Sequence, residues 1–256
     1  MGLFFLAGSR MSVSALQDYT FSSRYARWIP EKKRRETWRE SVDRVMNMMY
    51  DKYPDINGDI AWAYDMMFKK RVLGSQRALQ FGGIPIFKHN ARIYNCISSY
   101  CDRLRFFQEC MYLLLCGCGT GFSVQKHHIA KLPSFVSSSK KSIKKFVIED
   151  SIEGWSDSIG VLISSYFDQD ELFPEYTGKN VKFDFSKIRP AGSYLSSSSG
   201  KAPGPEPLKK ALSNIRKILE KALTNADFAS KDLRRLSPIE AYDIIMHSAD
   251  AVISGG

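Results

Sequence analysis

The sequence predicts a mixed α/β fold in which a helical N-terminal region precedes a part with parallel strands. The 256 residues are 44% hydrophobic and 25% charged, which is the composition of a globular protein. Apolar residues recur at helical spacing in several segments. Between Ile93 and Ile129 the pattern changes from strand to helix and back to strand, an order that favours parallel pairing.

The first part of the chain is expected to be helical after an irregular, basic start. Residues 1–35 show no regular pattern and end in a run of acidic and basic residues, EKKRR. A helix should begin after Thr37, which has the spacing of a capping box with Glu40. A second helix is predicted over 60–71, and glycine-containing breaks follow it.

The first strand–helix–strand unit lies in the middle of the chain. A short buried strand is predicted over 93–100, and it carries Cys96. Asp102 is a candidate N-cap of the following helix. Glycines within 117–121 end that helix, and residues 122–129 are predicted to form the second strand.

The remaining elements are predicted in order along the chain. They are a Ser/Lys-rich loop at 134–146, a helix at 155–167, a strand at 181–188, a loop rich in Ser, Gly and Pro at 190–207, a helix at 208–223 and a last helix to about 253. Ser237 and Glu240 have the spacing of a capping box for the last helix. Long loops in compact domains are often functional, so the 190–207 loop is a candidate binding segment.

Charge and hydropathy narrow the function classes. Lys and Arg number 37 against 27 Asp and Glu, and the net charge of +10 suggests an anionic partner such as nucleic acid, anionic lipid or a phosphorylated small molecule. No apolar run approaches the roughly 20 residues of a membrane span. The N-terminus lacks the basic region of a secretory signal. We therefore expect a cytoplasmic protein without membrane association.

All five cysteines fall within 23 residues, at positions 96, 101, 110, 116 and 118. Their odd number, without a signal peptide, argues against a disulfide framework. Their spacing is not that of a structural zinc site, and adjacent His127 and His128 on a strand would point to opposite faces. No metal site is predicted. Buried thiols are the default interpretation for the cysteines other than Cys96.

The glycine turn Gly117-x-Gly119-x-Gly121 lets backbone or a ligand approach closely. It is not the dinucleotide fingerprint, because that motif needs a strand before it and a helix after it. Taken alone, the turn carries little functional information.

Several segments together resemble the adenosylcobalamin-dependent (class II) ribonucleotide reductases. The longest is 109–133, ECMYLLLCGCGTGFSVQKHHIAKLP. Residues 24–31, RYARWIPE, and Asn95-Cys96 on the first strand also match. So do 187–192, KIRPAG, with the Pro-Gly-Pro segment of 200–208, and the terminal helix ending ADAVISGG. The resemblance covers roughly residues 24–256.

This resemblance implies a fold and a reaction. It implies an irregular extension over 1–23, a helical region over 24–90, and over 91–256 the first part of the family's ten-stranded α/β barrel, which is incomplete here. Family members reduce the ribose 2′-hydroxyl of a ribonucleotide through a cysteine thiyl radical made with adenosylcobalamin. Two further thiols supply the reducing equivalents. Cys96 would be one thiol of that pair; its alternative is a buried strand cysteine.

The resemblance also implies binding residues. The substrate-binding set would be Ser75 beside the phosphate, Asn95 in the pocket, and Gly117, Cys118, Gly119, Thr120, Gly121, Phe122 and Ser123 along the approach. Their alternatives are an ordinary turn and a helix stop. Asp102 would contact the ribose of a deoxynucleotide effector, or act only as an N-cap. Arg189 would meet the effector triphosphate, or be a solvated surface arginine.

The chain departs from the family pattern in ways that bear on function. The radical-bearing cysteine, the partner thiol, the acid–base carboxylate and the C-terminal cysteine pair of the family are absent. The long insertion of monomeric members is expected to be missing after Pro133, and serines at 196–199 put effector triphosphate binding in doubt. The resemblance therefore implies an N-terminal portion of a catalytic subunit, with adenosylcobalamin held mostly by the missing half.

The implied partners are a ribonucleotide, which the family resemblance indicates is a triphosphate, a deoxynucleotide effector, a dithiol reductant such as thioredoxin and a complementary C-terminal half. Three alternatives remain open. A basic nucleic-acid-binding module is supported by basic runs at 32–35, 69–71 and 140–145, although no binding motif accompanies them. A fragment of a class I large subunit and a non-catalytic nucleotide-binding remnant are the others.

Overall fold

The computed structural model describes residues 13–136, 142–168, 172–193, 195, 201–224 and 235–253. The chain divides into two compact units. Of the described residues, 13–93 form the N-terminal unit, and those from 94 onwards form the C-terminal unit. The domain limits expected from the sequence stay predictions. No helix in the described ranges has the length and apolar character needed to cross a membrane.

The N-terminal unit is built from short helices and one small hairpin. Its elements are α1 (Val13–Arg24), β1 (Trp28–Ile29), β2 (Arg34–Arg35), α2 (Trp38–Lys52), α3 (Asn57–Phe68), α4 (Gln76–Phe81) and α5 (Ile84–Lys88). The predicted capping box of α2 is confirmed, because Thr37 accepts from the Glu40 amide and Glu40 accepts from the Thr37 amide. Val42, Val45 and Leu79 belong to the buried core between these helices.

The prediction of an irregular start over residues 1–35 is wrong for Val13–Arg24, which form helix α1. None of its residues is buried. It is held by an edge-to-face contact between Phe21 and Trp38, with ring centroids 5.3 Å apart, and by an Asp18–Lys70 ion pair at 3.3 Å. A helix that buries no apolar stripe leaves little periodic signal in the sequence, which explains the miss.

A buried ionic network fixes α4. The Glu36 carboxylate accepts two hydrogen bonds from the Arg44 guanidinium, at 2.7 and 2.8 Å. Arg44 also donates to the Leu79 carbonyl at 2.7 Å, and Arg27 donates twice to the Gln80 carbonyl. Burial and the charge of Arg44 lower the pKa of Arg27 to about 10, so Arg27 stays charged at neutral pH. The carbonyls at the end of α4 are therefore satisfied by charged donors.

The C-terminal unit combines four longer helices with two strand pairs. Its elements are β3 (Cys96–Tyr100), α6 (Arg105–Leu115), β4 (Gly119–Ser123), α7 (Lys126–Ile129), β5 (Ile143–Val147), α8 (Ile152–Ser164), β6 (Asn180–Asp184), α9 (Glu206–Thr224) and α10 (Pro238–Ile253). Strand β3 pairs in parallel with β4, and β5 pairs in parallel with β6. The parallel pairing predicted for the first unit is confirmed.

The core of the C-terminal unit lies between its helices. Phe107 and Met111 on α6, Ile159 on α8, Leu212 on α9 and Ile244 on α10 are fully or almost fully buried in one cluster. The helices predicted over 155–167 and 208–223 are present with slightly different ends. The capping box of α10 is confirmed, because the Glu240 carboxylate accepts from the Ser237 amide at 2.8 Å and Ser237 Oγ accepts from the Glu240 amide at 3.3 Å.

Three local predictions are wrong. The strand predicted over 93–100 begins at Cys96 and is not buried. The second strand is 119–123 rather than 122–129, so His127 and His128 lie on α7. The loop predicted over 134–146 runs into β5. Low β propensity of glycine hid the start of β4, and β5 is a short edge segment with two lysines.

Candidate functional site

The parallel pair β3–β4 brings several predicted site residues onto one face. In the register of the pair, Cys96, Ser98 and Tyr100 lie opposite Gly119, Gly121 and Ser123. Paired residues of neighbouring strands share a face, and alternate residues point to the other face. Cys96, Ser98, Tyr100, Gly119 and Gly121 are all exposed. We call Cys96, Ser98, Tyr100, Gly119, Gly121 and Ser123 the Cys96 face.

The thiol of Cys96 lies beside the backbone of Gly119, a residue without a side chain. A Cβ atom added at Gly119 would lie 3.8 Å from Cys96 Sγ, and one added at Gly121 would lie 3.8 Å from the Ser98 Cβ. The Asn95 side-chain amide donates to Cys96 Sγ at 3.7 Å. Glycine at both positions leaves room for a ligand to approach the thiol. The Asn95 amide orients the thiol through its hydrogen bond to the sulfur.

Three other predicted residues point away from the Cys96 face. The Phe122 ring lies 6.1 Å from that of Phe106 on α6. Thr120 pairs with Ile97, and its buried hydroxyl has no hydrogen-bond partner among the described residues. Cys118 is buried and donates to the Tyr94 carbonyl at 3.4 Å. Only the backbone of these residues is available to the Cys96 face, and their substrate-binding role stays a prediction.

Gly117 ends helix α6 in the manner expected of a helix stop. Its φ of +89° is in the left-handed region that favours glycine. Its amide donates to the Leu114 carbonyl, and the Cys118 amide donates to the Leu113 carbonyl. This is the hydrogen-bond pattern of the Schellman motif. Gly117 thereby turns the chain so that Gly119 pairs with Cys96 on the neighbouring strand.

Ser75 belongs to the N-terminal unit. It is exposed, immediately precedes α4, and makes no side-chain capping hydrogen bond. The Arg27–Glu36–Arg44 network holds the opposite end of the same helix. The predicted phosphate contact of Ser75 stays a prediction.

Asp102 is not an N-cap. Helix α6 begins after Leu104, without a side-chain capping bond. The Asp102 carboxylate instead pairs with Arg103 at 2.9 Å and with Lys131 at 3.7 Å. The simpler alternative for Asp102 is therefore wrong, whereas its effector role stays a prediction.

Arg189 is ion-paired rather than free in solvent. Its Nε donates to Asp150 Oδ2 at 2.6 Å. Lys187, two residues earlier, pairs with Glu149. The base of the following loop is closed by backbone hydrogen bonds between 192–193 and Ala202. Residues 194 and 196–200, which include the four serines of the predicted loop, lie outside the described residues.

The structure confirms that the four cysteines other than Cys96 are buried thiols. Cys101, Cys110, Cys116 and Cys118 are each at most 3% exposed. Burial raises the pKa of both Cys101 and Cys110 to about 12, with Asp102 adding to the shift at Cys101. A thiol that resists ionisation is a poor nucleophile, so these two are chemically inert. Cys96 differs from them by its exposure.

No group of three or more His, Cys, Asp or Glu side chains within the described ranges is arranged to hold a metal ion. His127 and His128 are in ring contact, with centroids 3.9 Å apart. Desolvation, then the charges of His127 and Lys131, lower the pKa of His128.

Sequence reasoning missed Tyr100. It lies on the Cys96 face, is 55% exposed, and stacks on His128 with ring centroids 4.6 Å apart. Alternation from Cys96 along a strand would have placed Tyr100 on that face. The contact with His128 had no signal, because residues 122–129 were expected to continue as a strand.

Several residues of the basic runs make contacts within the chain. Lys32 and Arg34 pair with Glu40, and Arg35 donates to the Ala26 carbonyl. Lys69 pairs with Asp65, and Lys145 pairs with Asp184. Those pairs leave the excess of positive charge in place, so the nucleic-acid-binding alternative stays a prediction.

Two family models match the chain. One is described as the ribonucleotide reductase alpha domain and matches residues 8–80. The other is described as the insertion domain of B12-dependent ribonucleotide reductase and matches residues 127–219. The second match corrects the expectation that the insertion is missing after Pro133. The sequence signal was hidden because the family-like motif ends at Pro133 and a Ser/Lys-rich stretch follows.

Relatives and one solved structure agree with these models. An adenosylcobalamin-dependent ribonucleoside-triphosphate reductase of Lactobacillus leichmannii is 24% identical over 92% of this chain and 39% of its own length. The enzyme of that name from Euglena gracilis is 30% identical over 60% of this chain and 21% of its own. A crystal structure of a B12-dependent (class II) ribonucleotide reductase superposes with a TM-score of 0.71 and 22% identity, over 92% of this chain and 40% of that one.

The solved structure confirms the predicted fold class, a helical region followed by part of the reductase α/β barrel. The chain spans about two-fifths of the length of most of the relatives that it matches. The two models, the relatives and the fold point to one family. Over most of its length the chain is similar to the adenosylcobalamin-dependent (class II) ribonucleotide reductases.

Proposed function

We propose that this chain is the part of a class II reductase that presents one reducing thiol to the substrate. The complete enzyme converts ribonucleoside triphosphates to 2′-deoxyribonucleotides. One observation carries the proposal: the exposed thiol of Cys96 lies on a strand face whose opposite positions are Gly119 and Gly121. That face gives a ribose access to the thiol without side chains in the way.

The chemistry asks little of the other residues on this face. The ribose loses its 2′-hydroxyl as water, and two thiols become one disulfide, so two electrons and two protons are transferred. Cys96 supplies one thiol, and Asn95 holds its sulfur in position. The other four cysteines are buried, so we place the partner thiol in the rest of the enzyme.

Adenosylcobalamin is the cofactor in the relatives' names, and when bound it supplies the radical that starts the reaction. The Cys96 face is made mostly of small residues and offers no bulky apolar wall for a corrin ring. We therefore assign none of the described residues to the cofactor and place its binding in the complementary part.

We further propose that the chain acts with a complementary C-terminal part. The described residues contain two separate parallel pairs, each with only two strands, whereas a closed barrel needs further strands to pair with their edges.

Asp102 and Arg189 would contact a deoxynucleotide effector. A dithiol reductant such as thioredoxin would reduce the disulfide after each turnover.

The test is reconstitution with a C-terminal part taken from a class II relative. The chain, that part, adenosylcobalamin, a dithiol and a ribonucleoside triphosphate should yield deoxynucleotide. Cys96→Ser should lower the rate by at least about 10³-fold, because a hydroxyl cannot take part in disulfide formation. Cys110→Ala is the control, since it removes a buried thiol.

Full activity of the Cys96→Ser variant would refute the role of this thiol. Product that forms without adenosylcobalamin, and only with a separate radical-generating protein, would favour the class I alternative instead.

A further inference from the structure

Two acidic and two basic residues meet at one end of the β5–β6 pair. The strands are parallel, and Val147 lies opposite Asp184 at their carboxyl ends. The chain then continues from β5 into Glu149 and Asp150, and from β6 into the segment of 187–189. Segments that leave neighbouring parallel strands emerge at the same edge, which is where α/β proteins commonly bind ligands.

Each cation at this edge is matched by a carboxylate from the other segment. Arg189 Nε and Asp150 Oδ2 are 2.6 Å apart, and their side chains are 35% and 30% exposed. Lys187 pairs with Glu149, with side chains 53% and 59% exposed. Water reaches both pairs, so each contributes little to stability and can exchange partners. We call these four residues the β5–β6 charge cluster.

The acidic segment is fixed by its backbone. A Cβ atom at Gly154 would lie 2.3 Å from the Glu149 carbonyl oxygen, so the first turn of α8 packs directly on this segment. The Ser151 amide donates to the same oxygen at 2.9 Å, and Ser151 Oγ accepts from the Gly154 amide. The carboxylates of Glu149 and Asp150 are thus presented from a rigid position.

The loop that follows Arg189 is also fixed. The Gly192 amide donates to the Ala202 carbonyl at 2.8 Å, and the Ala202 amide donates to the Ser193 carbonyl at 2.7 Å. Gly204, at a φ of +74°, packs so closely that a Cβ atom would lie 2.9 Å from the Ala191 amide nitrogen. Asp150 engages only Nε of Arg189, so the two terminal nitrogens of the guanidinium can still donate to a ligand.

We propose that Asp150 and Glu149 are displaceable counter-ions that compete with a polyphosphate ligand for Arg189 and Lys187. This inference rests on the proposed effector role of Arg189. A triphosphate carries several negative charges and outcompetes single carboxylates in a water-exposed site. The two acids therefore set how much effector is needed to occupy the site, without contacting the effector themselves.

The test measures binding of inorganic tripolyphosphate to the full chain by titration calorimetry at low ionic strength. Asp150→Asn keeps the size of the side chain and removes its charge. It should tighten binding by about threefold to tenfold relative to the unaltered chain, since one competitor and one repulsive charge are lost. Arg189→Gln should weaken binding by a similar factor or more.

Asp65→Asn is the matched control. It makes the same substitution and the same change in net charge, and it also removes an exposed ion pair, here with Lys69. If Asp65→Asn tightens binding as much as Asp150→Asn, the effect is one of net charge and the proposal is refuted. Absence of binding to all variants would also refute it.

A second titration distinguishes this inference from the proposed function. A deoxynucleoside triphosphate should show the same order of affinities as tripolyphosphate. If Asp150→Asn tightens both while reconstitution yields no deoxynucleotide, the competition stands and the proposed reaction fails. If reconstitution succeeds and Asp150→Asn has no effect on binding, the competition fails and the reaction stands.

Discussion

The two units of this chain use the same ion pair, arginine with a carboxylate, in opposite ways. In the N-terminal unit the Arg44 and Glu36 side chains are only 14% and 9% exposed, and Arg44 also donates to backbone carbonyls at the end of α4. In the C-terminal unit the Arg189 and Asp150 side chains are 35% and 30% exposed, and among the described residues they bond to each other alone. The first pair is largely shielded from water, whereas the second is open enough to exchange its partner for a ligand.

The largest expected effect comes from breaking the buried pair. Arg44→Met should lower the free energy of unfolding by about 3–5 kcal/mol, because it leaves the Glu36 charge buried without its partner. Urea denaturation followed by circular dichroism measures this. Arg189→Met is the matched control and should cost about 1 kcal/mol or less. Equal losses in the two variants would show that burial does not separate the pairs.

The next effect is a dependence on pH. Burial alone would raise the pKa of Glu36, but hydrogen bonds and the charge of Arg44 outweigh it, so the pKa is lowered. A lowered folded-state pKa adds stability that is fully present above the unfolded-state value of 4.5 and is lost as the pH falls below it. The stability difference between the unaltered chain and Glu36→Gln should therefore shrink between pH 6 and pH 3.

Urea midpoints at several pH values, measured for both proteins in parallel, check this. The other carboxylates titrate in both proteins, so their effects cancel in the difference. A difference that stays constant or grows towards acid would contradict the assignment.

A smaller effect separates the buried and exposed cysteines. Cys110→Ser should lower the free energy of unfolding by about 1–3 kcal/mol, because it places a hydroxyl in an apolar, fully buried position. Cys96→Ser should change it by less than about 0.5 kcal/mol, as is usual at the surface. In the folded chain, alkylation should label Cys96 first and leave Cys110 unmodified. Prior labelling of Cys110 would contradict the burial described for it.

The smallest effect is expected at the β5–β6 charge cluster. Asp150→Asn should change the free energy of unfolding by less than about 1 kcal/mol, because exposed ion pairs contribute little. Thermal denaturation of the Asp150→Asn variant and of the unaltered chain, each with and without tripolyphosphate, measures this change in stability. A loss as large as that of Arg44→Met would mean that the cluster is structural, and the comparison of the two units would fail.

The sequence predicted the features that local chemistry determines. The capping boxes at Thr37 and Ser237 were found because each depends on residues three positions apart. The parallel β3–β4 pair followed from the order of elements. The motif around Cys96 and Gly117–Ser123 led to the family, which the comparisons confirm.

What the sequence could not predict depends on distant residues. Arg27 reaches a carbonyl 53 residues away, and Arg189 reaches a carboxylate 39 residues away. No local pattern encodes such pairs. The division of 117–123 between two faces of β4 also escaped prediction, because the strand starts at a glycine and its register appears only through its partner.

The crossover from β3 through α6 to β4 has a consequence for how the protein folds. The thiol and the glycines that face it lie on two strands whose paired residues are 23 positions apart in the sequence. Parallel pairing across such a crossover is slow, because the entropy of closing the loop is lost before the strand contacts form. We therefore expect the Cys96 face to form only when α6 packs into the core that it shares with α8, α9 and α10.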